Sequence, residues 1–255
     1  MKIIVAIKQV PERDAQLRID AQARSIDEAD LQFVLNESDA YALEEALQLK
    51  EKHGGEVIVL SAGPERVAAT LREALAKGAD RAIHIEAGLQ NADALAVAHL
   101  LTAAIRPENP DLILTGLQSE DLGLGQTGVI LAELLGLPHA TQILHVEKTE
   151  TGLSVKRELE EGWFQQIELP TPALLTIQSG GNKLRYATLM GIKRAKSKEF
   201  RALKAADFLA IDAPTVVLDQ ITLPKKQKST QILTGSPKEA AAALIEKLKS
   251  EAHVL

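Results

Sequence analysis

The sequence predicts an α/β protein with a mostly parallel sheet, helices on both faces of that sheet, an antiparallel addition and an extended C-terminal arm. Short apolar runs, such as residues 3–7 and 57–60, alternate with amphipathic stretches of helical length in the first two-thirds of the chain. Strands that alternate with helices in this way form mostly parallel sheets. The strand runs are apolar throughout, as expected of strands covered on both faces. Aromatic residues make up only 3% of the 255 residues, so aliphatic side chains must build the core.

The βα part of the chain can be followed element by element as far as residue 136. Its first helix begins at residues 36–39, because Asn36 or Ser38 can cap it and the acidic residues Glu37 and Asp39 favour its positive end. The predicted strands are residues 3–7, 57–60, 81–85 and 112–114, and the helices that follow them end at Gly54, Gly78, Arg106 and Gly136.

The pattern changes after Pro138. Short strands of an antiparallel addition are predicted at residues 143–148, 154–159, 164–169 and 173–177. Proline and glycine then interrupt the chain until a capped helix, which runs from Ser236 to about Glu251. We therefore expect a nucleotide-binding α/β domain of residues 1–213, followed by an arm of residues 214–255. The apolar side chains of that arm need either this domain or another chain to cover them.

Composition excludes several classes of function. The chain has no cysteine, which excludes disulfide scaffolds, cysteine nucleophiles and thiolate metal sites. Its six histidines show no metal-ligand spacing, and no hydrolase elbow, P-loop or zinc-protease motif is present, so neither a metal site nor a catalytic site is predicted. A net charge of −6 argues against nucleic-acid binding. Without an apolar run of about 18 residues or a secretory signal, we expect a cytoplasmic protein with no direct membrane insertion.

Acidic pairs offer no catalytic signal either. Residues 44–45 and 160–161 are both Glu-Glu pairs. Pairs of this kind are typical of solvated faces. We expect both pairs to be exposed.

The most suggestive motif is the glycine pattern of residues 123–128, which matches G-x-G-x-x-G. It follows the fourth predicted strand, whereas the motif of a dinucleotide domain follows the first strand. Two interpretations remain: a loop that lets a phosphate approach the helix start at Gly125–Thr127, or a tight loop packed against the sheet. Small residues also end the first, second and fourth strands, which predicts a crevice for a mononucleotide at this edge of the sheet.

Positive charge is concentrated in one segment. Residues 183–204 contain a single acid, Glu199, against eight basic residues: Lys183, Arg185, Lys193, Arg194, Lys196, Lys198, Arg201 and Lys204. Such a segment is either a solvated face or a docking surface.

Six segments follow one another in a familiar order: residues 5–11, 36–46, 61–64, 78–81, 111–127 and 183–189. The last reads Lys-Leu-Arg-Tyr-Ala-Thr-Leu and is followed by basic residues, which makes it highly specific. Together these segments resemble the beta subunits of electron transfer flavoproteins, and the resemblance runs along essentially the whole chain. It implies a heterodimer with an alpha subunit, on which the arm of residues 214–255 packs.

The resemblance also implies two cofactors. FAD is held at the interface, mainly by the alpha subunit, whereas AMP is bound by this chain. Carried over residue by residue, the AMP-binding positions are Ala6, Asn36, Glu37, Ser38, Asp39, Ala62, Gly116, Leu117, Gln118, Ser119, Glu120, Asp121, Leu122, Gly123, Leu124, Gly125, Gln126 and Thr127. The AMP is expected to be structural.

A third implication concerns partners. Residues 183–198 match the recognition loop with which the family docks on flavin dehydrogenases, such as the acyl-CoA dehydrogenases of fatty acid oxidation. The expected partner-binding residues are the anchor Leu189, then Tyr186, Lys193, Arg194 and Lys196, and also Glu158, which matches a glutamate that holds the mobile flavin domain of the alpha subunit. The chain is thus expected to be a non-enzymatic electron carrier that passes electrons toward the quinone pool through a quinone oxidoreductase.

Two alternatives stay open. One is the beta subunit of a flavin-bifurcating complex that binds a second FAD and oxidises NADH, although residues 125–128 look more like the AMP type. The other is a lone nucleotide-binding stress-type protein, which accounts neither for the arm nor for the basic segment.

Overall fold

A nine-stranded sheet organises the first of two structural units. The computed structural model describes residues 1–21, 24–90, 92–208, 215–224 and 230–254. The first unit spans Met1–Ile221 and the second Thr222–Leu255. The predicted boundary between residues 213 and 214 lies outside the described residues.

The strands and helices have the following bounds. The strands are β1 (Lys2–Ala6), β2 (Gln9–Pro11), β3 (Phe33–Leu35), β4 (Glu56–Gly63), β5 (Arg81–Glu86), β6 (Leu112–Gly116), β7 (His139–Lys148), β8 (Leu153–Glu158), β9 (Phe164–Leu169), β10 (Ala173–Ile177) and β11 (Phe200–Lys204). The helices are α1 (Glu37–His53), α2 (Val67–Lys77), α3 (Ala94–Ile105), α4 (Thr127–Leu135), α5 (Leu189–Ala195) and α6 (Pro237–Ser250).

The large sheet has the strand order β11-β5-β4-β1-β6-β10-β7-β8-β9. Neighbours from β11 to β7 pair in parallel, whereas β7, β8 and β9 pair antiparallel. A separate antiparallel pair joins β2 to β3. The predicted fold class is therefore confirmed.

One strand was assigned to the wrong part of the sheet. Residues 173–177 are predicted within the antiparallel addition, but β10 lies between β6 and β7 and is parallel to both. All five of its residues are buried. Its apolar run without alternation is typical of a parallel strand covered on both faces, and this signal outweighs its position in the chain.

The core lies in two layers, one on each face of the sheet. Side chains of β1 alternate between them: Ile3 and Val5 pack in the cluster that includes α1 and α2, whereas Ile4 packs in the cluster that includes α3 and α4. Burying each such side chain contributes about 1.5–3 kcal/mol. These layers fix the strand ends, and the site is built on those ends.

Two predictions about exposure come out differently. Glu160 and Glu161 are exposed, as expected, whereas Glu44 and Glu45 are 4% exposed each. The prediction that Glu44 and Glu45 are exposed is wrong, because Arg185 forms an ion pair with Glu44 and the Val146 N–H donates a hydrogen bond to Glu45. These partners compensate the cost of burying both carboxylates.

Residues 189–195, predicted as part of a loop, form the short helix α5. Its N-cap Thr188 accepts a hydrogen bond from the Gly191 N–H at 3.0 Å. A helix of seven residues is too short to show a periodic apolar pattern in the sequence.

The second unit contains the predicted terminal helix, α6. Ser236 caps it in a reciprocal arrangement with Glu239, and Pro237 occupies its first turn. Leu244 and Ile245 are about half exposed on this helix. Within the described part of the chain, no helix is long and apolar enough to cross a membrane.

Candidate functional site

A cavity of about 190 Å³ opens at the carboxyl ends of β1, β4 and β6. In parallel sheets this edge is where ligands bind. The predicted site residues that line it are Ala6, Asn36, Asp39, Ala62, Gly116, Leu117, Gln118, Ser119, Leu122, Leu124, Gly125, Gln126 and Thr127. The structure thus brings together strand ends, the start of α1 and the loop that precedes α4.

The remaining predicted positions lie around this cavity. Ser38, Glu120 and Asp121 take part in hydrogen bonds that hold the loop, whereas Glu37 and Gly123 are exposed. Sequence reasoning missed some of the lining residues, among them Lys8, Asp93, Val97, Leu101, Thr115 and Gly128. The position of Lys8, two residues after the end of β1, was a usable signal, since the carboxyl ends of parallel strands share one edge of the sheet.

The start of α1 supports the loop of residues 116–124. Ser38 Oγ and Asn36 Nδ2 donate to the carbonyl oxygen of Gln118, at 2.7 and 3.0 Å. The Glu120 N–H in turn donates to Asn36 Oδ1 at 2.9 Å. Because Asn36 and Ser38 are buried, these bonds satisfy polar groups that would otherwise be costly.

Asp39 joins two strand ends beneath this loop. Its carboxylate accepts the N–H of Lys8 and the N–H of Gly116, both at 2.7 Å. Burial raises the pKa of Asp39 to about 7, although these two hydrogen bonds act to lower it. A β-carbon at residue 116 would collide with Ser38 and Asp39, so glycine is required there.

Lys8 and Asp121 neutralise each other at the cavity rim. The Lys8 ammonium lies 2.7 Å from the Asp121 carboxylate and 3.3 Å from Ser119 Oγ. Burial acts to raise the pKa of Asp121, but hydrogen bonds from Lys8 and Ser119 outweigh it and hold the pKa below its ordinary value. The ion pair fastens the loop to the end of β1.

The glycines of the 123–128 motif have distinct conformational roles. Gly123 and Gly125 have φ of +63°, the left-handed region that favours glycine. A β-carbon at Gly128 would collide with Thr115 and Thr176, so that glycine lets α4 approach the sheet. The loop thus packs against the sheet at Gly128 and leaves the start of α4 without a side-chain cap, while the approach of a phosphate stays a prediction.

The start of α4 is open toward the cavity. The first N–H groups of a helix have no partner within it, and Gln126 at the N-cap makes no side-chain cap. Gln126, Thr127 and Gly128 all line the cavity. Such a helix start favours an anionic group.

Asp93 also lines the cavity and is the N-cap of α3. Its side chain accepts the Ala96 N–H at 2.8 Å and groups of Thr215 and Val216 at 2.7–3.1 Å. The Ala96 N–H and then the Thr215 hydroxyl lower the pKa of Asp93 to about 2. The described start of the arm is thereby fastened beside the cavity.

The predicted partner-binding residues other than Glu158 lie on the basic segment of residues 183–198, which we call the docking segment. Tyr186 is 92% exposed and Leu189 is 87% exposed, and Met190 and Ile192 are exposed beside them. Apolar side chains so exposed on a monomer are typical of interaction surfaces.

The basic residues of this region divide into two groups. Arg185 pairs with Glu44 and Glu51, Arg201 pairs with Glu108, and Lys198 donates to carbonyls at the end of α2. Lys193, Arg194 and Lys196 are exposed and make no ion pair with any residue that the structure describes. The free positive charge of the docking segment is therefore smaller than its composition indicates.

Glu158 ends β8, on the antiparallel side of the sheet. It accepts a hydrogen bond from Gln178 Nε2 at 3.3 Å and is half-buried. The turn after it exposes two aromatic side chains, Trp163 and Phe164.

A mostly parallel sheet covered on both faces, with an open helix start at its carboxyl edge, defines an α/β protein of the class that binds ligands at this edge. Residues 24–208 match the model of the electron transfer flavoprotein domain. The electron transfer flavoprotein subunit beta of Methylophilus methylotrophus is 38% identical, over 96% of this chain and 97% of that protein. The subunit beta of Bacillus subtilis and the mitochondrial subunit beta of Oryza sativa subsp. japonica are each 36% identical over the full length of both chains. The chain belongs to the family of electron transfer flavoprotein beta subunits.

Proposed function

We propose that this chain is the beta subunit of a heterodimeric electron carrier of the cytoplasm. In this proposal it accepts electrons from flavin dehydrogenases, such as acyl-CoA dehydrogenases, and passes them to a quinone oxidoreductase of the quinone pool. FAD, held mainly by the alpha subunit, supplies the redox chemistry when bound. The proposal extends the established family membership to particular cofactors and partners.

One observation carries the proposal: the cavity combines an open helix start with an apolar wall. Gln126 and Thr127 are at the helix start, whereas Val97, Leu101 and Leu124 are on the wall. A phosphate suits the first feature and a purine base suits the second. These residues therefore fit an adenine nucleotide, and residues 125–128, which look more like the AMP type, favour AMP over a second FAD.

The polar groups around the cavity support a structural role for the nucleotide. Asp39 is engaged by two backbone N–H groups, and the charges of Lys8 and Asp121 neutralise each other. These contacts hold the loop and the strand ends in place, which supports a nucleotide that is bound as a structural part of the subunit.

The docking segment supports the proposed dehydrogenase partners. Leu189 offers an exposed apolar anchor, and Lys193, Arg194 and Lys196 surround it with positive charge. Buried apolar anchors supply most of the grip in such interfaces, whereas charges steer the encounter. An acidic dehydrogenase surface with an apolar pocket is the partner that these residues fit.

The test is electron transfer by the chain co-expressed with its alpha subunit. We expect an acyl-CoA dehydrogenase with its substrate to reduce the flavin of the complex, and a quinone oxidoreductase to reoxidise it. We expect NADH to leave the flavin oxidised. Flavin reduction by NADH contradicts the carrier and indicates the bifurcating complex. Purification as a stable, nucleotide-loaded monomer, despite the presence of the alpha subunit, also contradicts it.

A further inference from the structure

The docking segment is tied to α1 by two ion pairs of Arg185, one with the buried Glu44 and one with the exposed Glu51. The Arg185 guanidinium donates to both oxygens of Glu44, with Nε at 2.8 Å and Nη2 at 2.9 Å, and its backbone N–H donates to Glu44 Oε2 at 3.3 Å. The same guanidinium reaches Glu51 at 2.6 and 3.1 Å. Glu44 is buried, whereas Glu51 is exposed. Arg185 is thus gripped by two carboxylates two helical turns apart.

The burial of Glu44 makes this pairing obligatory. A buried carboxylate that loses its partner leaves an uncompensated charge, which is strongly destabilising. The hydrogen bonds that Arg185 donates, first to Glu44 and then to Glu51, raise the pKa of Arg185, and the same bonds lower the pKa of Glu51. A two-point guanidinium–carboxylate pair also fixes orientation, which a lysine in place of Arg185 cannot do.

The docking segment has two further attachments beyond Arg185. Gly191 lies so close to the Ala76 carbonyl that a β-carbon there would collide with it. The Lys198 ammonium donates to the carbonyls of Leu75, at 2.9 Å, and Ala79. The exposed side chains of Tyr186, Leu189 and Met190 therefore project from a backbone held on both sides.

We infer that Arg185, seated on Glu44 and Glu51, is a positioning residue that holds the docking segment in the conformation its partner binds. Association costs less when the interface backbone is already ordered, since less conformational entropy is lost. This inference rests on the proposed docking function. It assigns to Arg185 a role in orienting Leu189 rather than in steering by charge.

The test compares Arg185→Gln with the matched control Arg201→Gln in the complete heterodimer. Each variant removes one positive charge of the basic region and one ion pair with a largely buried glutamate. In the control, Glu108 loses Arg201 but keeps its ion pair with Arg81. We expect Arg185→Gln to raise the KM of the dehydrogenase for the flavoprotein about tenfold at unchanged kcat, and the control to raise it less than about twofold. Hydrogen exchange at residues 186–196 should accelerate in Arg185→Gln alone.

Milder variants keep the test informative if Arg185→Gln does not fold. Arg185→Lys keeps the positive charge but loses the two-point pairing with the carboxylates. Glu51→Gln removes the exposed ion pair of Arg185 and leaves its pair with Glu44. We expect both to raise KM and to accelerate exchange at residues 186–196 by smaller factors. An Arg185→Lys protein with wild-type KM and wild-type exchange would overturn the inference.

Failure of this inference differs from failure of the docking proposal. If Leu189→Ala slows electron transfer while Arg185→Gln matches its control in KM and in exchange, only the positioning role is wrong. If Leu189→Ala has no effect, the proposed docking surface itself is wrong.

Discussion

At the residue scale, the candidate site depends on polar groups that are satisfied by backbone. Asp39 is buried and holds the N–H groups of Lys8 and Gly116, which lie 31 and 77 positions away in the sequence. Its single carboxylate fixes the ends of β1 and β6 relative to each other. Removing it leaves donors without an acceptor, which costs about 1–3 kcal/mol for a buried group.

The raised pKa of Asp39 predicts a pH-dependent stability. Burial raises the pKa of Asp39 to about 7, well above the ordinary value for an aspartate. The folded state then holds this proton more tightly than the unfolded chain, so the contribution to stability is complete below about pH 4 and is lost as pH rises to about 7. Urea unfolding of the wild type and of Asp39→Asn should show their stability difference falling over this range by more than about 1 kcal/mol. A pH-independent difference would contradict the burial of an ionisable group here.

A second residue-scale prediction concerns Gly125. Its φ of +63° and its place on the cavity wall predict that Gly125→Val blocks the approach of a phosphate. Gly136→Val is the matched control, because Gly136 has φ of +67° at the far end of α4. Both should lose about 1–2 kcal/mol of stability to backbone strain, but only Gly125→Val should lose AMP. Stoichiometric AMP in Gly125→Val would show that this loop does not hold the phosphate.

The prediction that Glu44 and Glu45 are exposed fails for a physical reason. Their partners, Arg185 and Val146, lie more than 100 positions away. A local charge pattern carries no information about contacts at that separation. Asn36 and Ser38, in contrast, were singled out by their helix-capping chemistry, and the structure gives them instead the task of holding the Gln118 carbonyl.

At the element scale, strands with long apolar runs could be predicted from the sequence, whereas very short strands and helices could not. The predicted strands at 57–60 and 81–85 lie within β4 and β5, because buried parallel strands need continuous apolar runs. The three-residue strands β2 and β3 and the helix α5 carry too few residues for a periodic signal. Their positions are set by tertiary contacts.

The docking segment gives the element-scale prediction, which separates apolar contacts that stabilise the complex from charges that speed its association. Leu189→Ala should weaken the complex with the dehydrogenase by about 2 kcal/mol, with little change in salt dependence. Neutral residues at 193, 194 and 196 should instead lower the association rate and flatten its dependence on ionic strength, since salt screens charges over about 8–10 Å. Electron-transfer rates titrated against salt distinguish the two variants. AMP and FAD content should stay constant in both.

At the scale of the whole molecule, the arm is the part that needs a partner. Within the first unit, Val216 and Val217 are 70% and 75% exposed, and within the second unit Leu223 is 71% exposed. The sequence predicts that such side chains require covering, but it does not say by what. We propose that the alpha subunit covers them, as the resemblance to the family implies.

Removal of residues 214–255 tests that proposal. The core clusters contain none of the arm residues that the structure describes, so the βα unit should stay folded, with far-ultraviolet dichroism and a cooperative transition retained. Pairing with the alpha subunit should weaken by at least about tenfold in Kd, as expected when several apolar contacts are lost. A truncated chain that pairs with unchanged affinity would show that the arm does not bind the alpha subunit.

The most direct measurement is the nucleotide content of the heterodimer after denaturation. We propose that the cavity at the carboxyl edge of this chain holds one adenine mononucleotide, while the flavin is bound mainly by the alpha subunit. We therefore expect one AMP and one FAD per heterodimer, with the AMP lost in Gly125→Val and the FAD retained. Two FAD per heterodimer, or no AMP at all, would contradict it.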